Sequence, residues 1–138
     1  MDPQLIDIAK RFLFVLTVIS IVGAVLDSSG RLPGLVLTFI QLLLIFYMAA
    51  KMSMSANASV LISGAAGALL SSIAGITYSV AYWLSLPFFN ETRLSAFYFV
   101  GTMFVDSMIS AVIMAFLGFF VGLIGGFIGQ RALEKRMS

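Results

Sequence analysis

The stretch FYFVGTMFVDSMISAVIMAFLGFFVGLIGGFI, residues 97–128, contains a single acidic side chain, Asp106, and no basic one. About 20 predominantly apolar residues are enough for a helix to cross the hydrocarbon core of a bilayer. Three earlier runs are also continuously apolar, without the alternation that a membrane β-barrel requires. The sequence therefore predicts an all-α, polytopic integral membrane protein. Its single domain, residues 1–138, is a four-transmembrane-helix bundle with spans at approximately 5–26, 34–51, 59–86 and 95–128.

The composition agrees with a lipid environment. Apolar residues make up 61% of the chain and charged residues only 10%, whereas soluble domains carry about 25% charged residues. A water-soluble fold with this composition would expose large apolar patches and aggregate. The lipid bilayer is therefore the expected surrounding of the protein.

Several classes of function are excluded or disfavoured. The chain has no cysteine and no histidine, so it lacks thiolate nucleophiles, the usual general base and the commonest transition-metal ligands. No motif for an active site or a cofactor can be placed. We expect a protein that is not an enzyme, with no catalytic residue, cofactor or metal. The net charge of +2 gives no reason to expect nucleic-acid binding.

The ends of the spans follow from local signals. The first two apolar runs are short, and the third is expected to stop before Pro87 because a proline disfavours helical geometry in the residue before it. The fourth is overlong for one span, and its glycines at 125, 126 and 129 are expected to fray its last turns. Four polar residues could cap the start of the third helix: Ser53, Ser55, Asn57 and Ser59.

Basic residues predict the orientation. With four spans, one side of the membrane holds six of them, Lys10, Arg11, Lys51, Arg131, Lys135 and Arg136, and the other side holds Arg31 and Arg93. The positive-inside rule then predicts a multi-pass protein of the cell membrane with cytoplasmic N- and C-termini. An alternative is that residues 1–26 are a cleaved signal peptide, which would leave three spans. Aromatic residues 78, 82, 83, 97 and 98 predict a membrane boundary at the other end.

Small residues recur every fourth position in the last two helices. The third helix carries Gly67, Ser71 and Gly75 within a longer ladder from Ser59 to Ser79, and the fourth carries Gly118, Gly122 and Gly126. Small side chains let helix backbones approach closely in lipid. The pattern predicts that these residues pack helices together as a glycine zipper, either within one subunit or between subunits.

Asp106 is the strongest candidate for a functional residue. An acid inside a membrane helix is costly and normally faces protein or a water-filled cavity. Its candidate partners are Thr102 and Ser110, one turn to either side, and Gln41 in the second helix. Asp106 either binds a proton or cation in a transport pathway or has a structural role, with a hydrogen bond to Gln41 or to a neighbouring subunit. By contrast, Asp27 and Arg31 are expected to form a solvated pair in the first loop.

Two functions of different class follow. The first is a small oligomeric transporter or channel that uses Asp106 for proton or cation handling. The alternative is a non-catalytic accessory or scaffold protein that associates through its Gly and Ser stripes. The expected partners are the lipid bilayer and either further copies of the chain or another membrane protein.

Overall fold

The computed structural model describes residues 3–31, 33–89 and 96–137. They form four α-helices: α1, Pro3–Ser28; α2, Gly34–Ala56; α3, Val60–Phe89; and α4, Ala96–Met137. Each helix is long and apolar enough to cross a membrane. The prediction of an all-α bundle of four membrane helices is therefore confirmed.

Residue pairs across the interfaces give the direction of each helix. Phe46 and Ala50 of α2 contact Gly125 and Gly129 of α4, so α2 and α4 run parallel. The other pairings make α1 antiparallel to α2 and α3 antiparallel to α4. We call the end with the six basic residues listed above the basic end, and the end with Tyr78, Tyr82, Trp83 and Phe99 the aromatic end.

The helices α2 and α3 form the middle of the bundle. Each of them packs against both outer helices, and the most extensive packing is between α3 and α4. Within the described ranges α1 and α4 do not pack against each other. A polar connection between α1 and α4 must therefore pass through side chains of α2 or α3.

Helices α1 and α2 are longer than their apolar runs suggested. They contain 26 and 23 residues, enough to cross a bilayer. Helix α1 begins at Pro3, a residue whose fixed φ suits the first position of a helix. One turn further on, Arg11 and Asp7 form an exposed ion pair at 3.3 Å with helical spacing, which supports this extension.

Two predicted helix ends were wrong. Helix α3 continues through Pro87 to Phe89; a proline in the last turn removes only one hydrogen bond of the helix. Helix α4 does not fray at its glycines but continues to Met137. A Cβ atom at Gly125 would lie 2.6 Å from the carbonyl oxygen of Phe46, and one at Gly129 2.6 Å from that of Ala50. Tight packing on α2 therefore holds the helix where its propensity is weak.

The connection from α2 to α3 uses two of the four predicted capping residues. Asn57 ends α2 in the left-handed region, with φ 53°, a conformation that asparagine tolerates better than most residues. The hydroxyl of Ser59 then accepts a hydrogen bond of 3.2 Å from the backbone N–H of Ile62. Ser59 is thus the N-cap of α3.

The interior of the bundle is unusual in its share of serine. Large apolar side chains such as Leu16, Ile45 and Met48 are completely buried, but so are five serines: Ser20, Ser53, Ser63, Ser71 and Ser79. Many large apolar side chains lie instead on the outside, where the lipid is their solvent. Small polar residues can line the interior because close backbone packing, rather than a hydrophobic drive, holds helices together in lipid.

Candidate functional site

The small residues of α3 and α4 lie against each other within one chain. A Cβ atom added to Gly67 would clash with the carbonyl oxygen of Gly118, and one added to Gly122 would lie 2.5 Å from the carbonyl oxygen of Ser63. A Cβ at Gly126 would lie 2.7 Å from Ser63 Cβ. We call this interface the α3–α4 seam.

The seam has a regular register. From the pair Gly67–Gly118, a step of eight residues forward on α3 and eight back on α4 leads to Gly75, whose added Cβ would lie 3.0 Å from the carbonyl oxygen of Ser110. Ser71 lies between these pairs, buried and close to Gly118. One further step of four residues brings Ser79 opposite Asp106. The packing of small residues therefore positions the acid.

Asp106 accepts two hydrogen bonds from α3. The Ser79 hydroxyl donates to Asp106 Oδ2 over 2.6 Å, and Trp83 Nε1 donates to the same oxygen over 2.9 Å. Ser79 is buried, whereas Asp106 is only half-buried. No described side chain donates to the second carboxyl oxygen, Oδ1, and no described Lys or Arg forms an ion pair with Asp106. Arg93 lies outside the described residues.

A second carboxyl group lies on the other side of the same part of α3. The Tyr78 hydroxyl donates to Asp27 Oδ2 of α1. About two turns further on, the Ser85 hydroxyl donates to Ser28 Oγ over 2.7 Å. The expected solvated pair with Arg31 is therefore not formed among the described residues, and Asp27 is instead held in the α1–α3 interface by Tyr78.

The end of α3 is thus a source of donors to both sides. Tyr78 and Ser85 donate to α1, and Ser79 and Trp83 donate to α4; we call these four residues the donor cluster. Tyr78 and Ser79 are adjacent in the chain, so the two acids flank one turn of α3.

Aromatic rings surround the donor cluster. Tyr82 stacks on Tyr78 with ring centroids 6.2 Å apart, and Trp83 meets Phe99 of α4 edge to face at 5.7 Å. Tyr82 also meets the indole ring of Trp83 edge to face at 6.3 Å. Tyr82 and Phe99 thus restrict the indole ring, whose N–H group donates to Asp106. The predicted aromatic boundary therefore also orients a donor to the acid.

Gln41 does not lie near Asp106, and the predicted hydrogen bond between them is wrong. Gln41 is buried and donates to Ser20 Oγ of α1 over 2.8 Å. In the parallel register of α2 and α4, Gln41 is level with Phe120, ~21 Å along α4 from Asp106. The sequence alone does not predict the register of these helices, so this separation of Gln41 from Asp106 could not be predicted.

Thr102 and Ser110 lie one turn to either side of Asp106, but their contacts are with other parts of the bundle. Ser110 packs by its backbone against Gly75. Thr102 lines a shallow cavity of about 360 Å³ on the outer face of α4, together with Gly101 and Val105. Among the described residues, no hydrogen bond joins either residue to Asp106.

The described residues contain no group of three His, Cys, Asp or Glu side chains that could hold a metal ion.

Comparison with known protein families, curated proteins and solved structures finds no match to this chain.

Proposed function

We propose that the protein is a subunit of a small transporter or channel in which Asp106 takes up and releases a proton or a cation. The observation that carries this proposal is the half-buried carboxyl group with both described donors on one oxygen. Its second oxygen is left with lone pairs that a proton or a cation can use. An acid within a membrane helix is functional by default.

The position of Asp106 along the bundle supports access from the aromatic end. It is level with Ser79 and Trp83 of α3 and lies beyond the start of α2 in the parallel register of α2 and α4. Asp27 lies at the same level of α3, so two acidic side chains face cations that approach from that side. The site is therefore placed to exchange ions with the solution on that side.

The rest of the pathway requires more than one copy of the chain. Among the described residues, the seam and fully buried side chains fill the contacts between the helices, so we do not expect an ion to cross within one bundle. The shallow cavity at Thr102 lies one helical turn from Asp106 and opens on the outer face of α4. A pathway between copies that includes this face would pass beside the acid.

Flux measurements in proteoliposomes test the proposal. Purified wild-type protein is expected to conduct or exchange H⁺, Na⁺ or K⁺, and Asp106→Asn is expected to lower the rate at least tenfold. The asparagine keeps an acceptor for Ser79 and Trp83, so the fold should remain. The matched control is Asp7→Asn, which removes an exposed acid at the basic end and should leave the flux unchanged. Equal rates in wild type and Asp106→Asn, whether fast or absent, would exclude the proposal.

The alternative function, an accessory protein that associates through its Gly and Ser stripes, has less support. The stripes are covered by helices of the same chain: Gly118, Gly122 and Gly126 by α3, and Gly125 and Gly129 by α2. A partner protein would have to bind other faces of the bundle. Among the described residues, those faces carry exposed apolar side chains, which suit lipid as well as a partner protein.

We also propose that the basic end is cytoplasmic and that the membrane is the cell membrane. Six of the eight Lys and Arg residues belong to that end, the asymmetry that the positive-inside rule uses. The carboxyl groups of Asp27 and Asp106 would then meet the external solution.

A further inference from the structure

An apolar groove lies between α1 and α3 at the basic end. It has a volume of about 400 Å³, and it is lined on one side by Leu5, Ala9 and Leu13 and on the other by residues of α3 that include Ala65 and Ala66. The alanines on facing helices leave the space between the two backbones unfilled. At the opposite end, the bonds from Tyr78 and Ser85 tie the same two helices together.

The length of the groove matches one leaflet of a bilayer. Its residues on α3 run from Ile62 to Ile73, ~16 Å at 1.5 Å per residue. The hydrocarbon core is ~30 Å thick, so one leaflet contributes ~15 Å. An apolar groove that faces lipid is filled by acyl chains, because an unfilled one forfeits dispersion contacts on both walls.

One charged side chain lines the groove, and it is Lys10. Lys10 is exposed, and among the described residues it forms no ion pair. Its neighbour Arg11, in contrast, is paired with Asp7. Side chains on a helix point toward its N-terminus, so the Lys10 ammonium group reaches toward the headgroups at the basic end while its methylenes lie along the groove.

We propose that this groove binds one anionic phospholipid of the leaflet at the basic end, with an acyl chain between α1 and α3 and its phosphate on Lys10. The residues that line the groove include a lysine and no acid, so they favour an anionic headgroup. The apolar walls select the tail. At the aromatic end, hydrogen bonds join α1 to α3. At the basic end, the bound lipid would supply the contacts between these two helices instead.

Native mass spectrometry of the full-length protein tests the site. The protein is released from vesicles of equal parts phosphatidylglycerol and phosphatidylcholine, and the lipid that remains bound is counted. Wild type should retain phosphatidylglycerol about fivefold over phosphatidylcholine, the preference that one basic residue near the surface gives. Lys10→Gln should abolish this preference and Lys10→Arg should keep it, whereas Lys51→Gln, a basic residue of the same end on α2, should have little effect.

A second variant tests the groove itself. Ala66→Phe fills the space between the helices and should abolish retention of both lipids while Lys10 is intact. Its control, Ile113→Phe, adds a ring on the exposed face of α4 and should change nothing. Equal retention of the two lipids by wild type would overturn the proposal. So would unchanged retention in Ala66→Phe, or an Ala66→Phe variant that loses a dimer rather than a lipid, because a second copy would then occupy the groove.

Discussion

At the scale of single residues, Asp106 has both a functional and a structural aspect, and substitutions can separate them. Asp106→Ala removes the acceptor of two donors, Ser79 and Trp83, and should lower the free energy of unfolding by about 1–3 kcal/mol. Asp106→Asn keeps an acceptor oxygen and should stay within about 1 kcal/mol of wild type. Unfolding in mixed detergent micelles measures both values.

The same pair of variants has an optical readout. Trp83 is the only tryptophan in the chain, so intrinsic emission reports on its indole N–H group. Asp106→Ala should shift the emission maximum clearly, and Asp7→Ala, at the other end, should not. An unshifted spectrum for Asp106→Ala would mean that Trp83 does not bond to the acid.

Gln41 and Ser20 provide a residue-scale prediction away from the site. Hydrogen bonds between membrane helices contribute about 0.6 kcal/mol on average and at most about 1.7 kcal/mol. Gln41→Ala should therefore destabilise the bundle by that bond plus the cost of the cavity left by a buried side chain. Thr17→Ala removes a bond within one helix, from Thr17 to Leu13, and should cost less. A larger loss for Thr17→Ala would contradict the α1–α2 contact.

At the scale of helices, the glycines of α4 are predicted to differ according to what they face. In Gly122→Ala the new Cβ atom meets the backbone of α3, at Ser63 O and Gly64 Cα. The helices must separate, and the bundle should lose about 1–3 kcal/mol. Gly101 lies on the same helix with nothing within 4 Å of an added Cβ, so Gly101→Ala should gain about 0.5–1 kcal/mol. If both variants gained stability, the α3–α4 seam would not exist.

Much of the α3–α4 seam could be predicted from the sequence. That the seam places Ser79 opposite Asp106 could not be predicted without the register of the two helices. The four-residue spacing indicated which residues of α3 and α4 would face another helix. Once Gly67 is paired with Gly118, steps of four lead directly to Ser79 and Asp106. The pairing itself depends on which helix lies opposite, and periodicity within one helix carries no information about that.

Other contacts had weaker signals in the sequence. Gly125 and Gly129 form a second glycine face, offset from the first, which packs on α2 rather than α3. In the sequence, the two glycine faces of α4 form one glycine-rich region, so the second face could not be distinguished from the first. Likewise, Asp27 comes beside Ser28, Ser29 and Gly30 in the sequence, a loop-like composition, and its partner Tyr78 is remote in the chain.

At the scale of the whole molecule, the orientation in the membrane can be tested without removing any native cysteine, because there is none. A Ser55→Cys variant places a thiol at the basic end, and Ser29→Cys places one at the aromatic end. A membrane-impermeant maleimide added to intact cells should label Ser29→Cys and not Ser55→Cys. The reverse pattern would invert the proposed topology.

Asp106 is proposed to exchange a proton or a cation while the chain lies in a bilayer. Infrared difference spectroscopy on proteoliposomes tests it most directly, because the carboxyl signal of Asp106 is identified by its loss in Asp106→Asn. If Asp106 takes part in this exchange, the signal should change when pH, Na⁺ or K⁺ is varied in the surrounding solution. A signal that stays constant under all three changes would contradict it, and Asp106 would then be only a hydrogen-bond acceptor that joins α3 to α4.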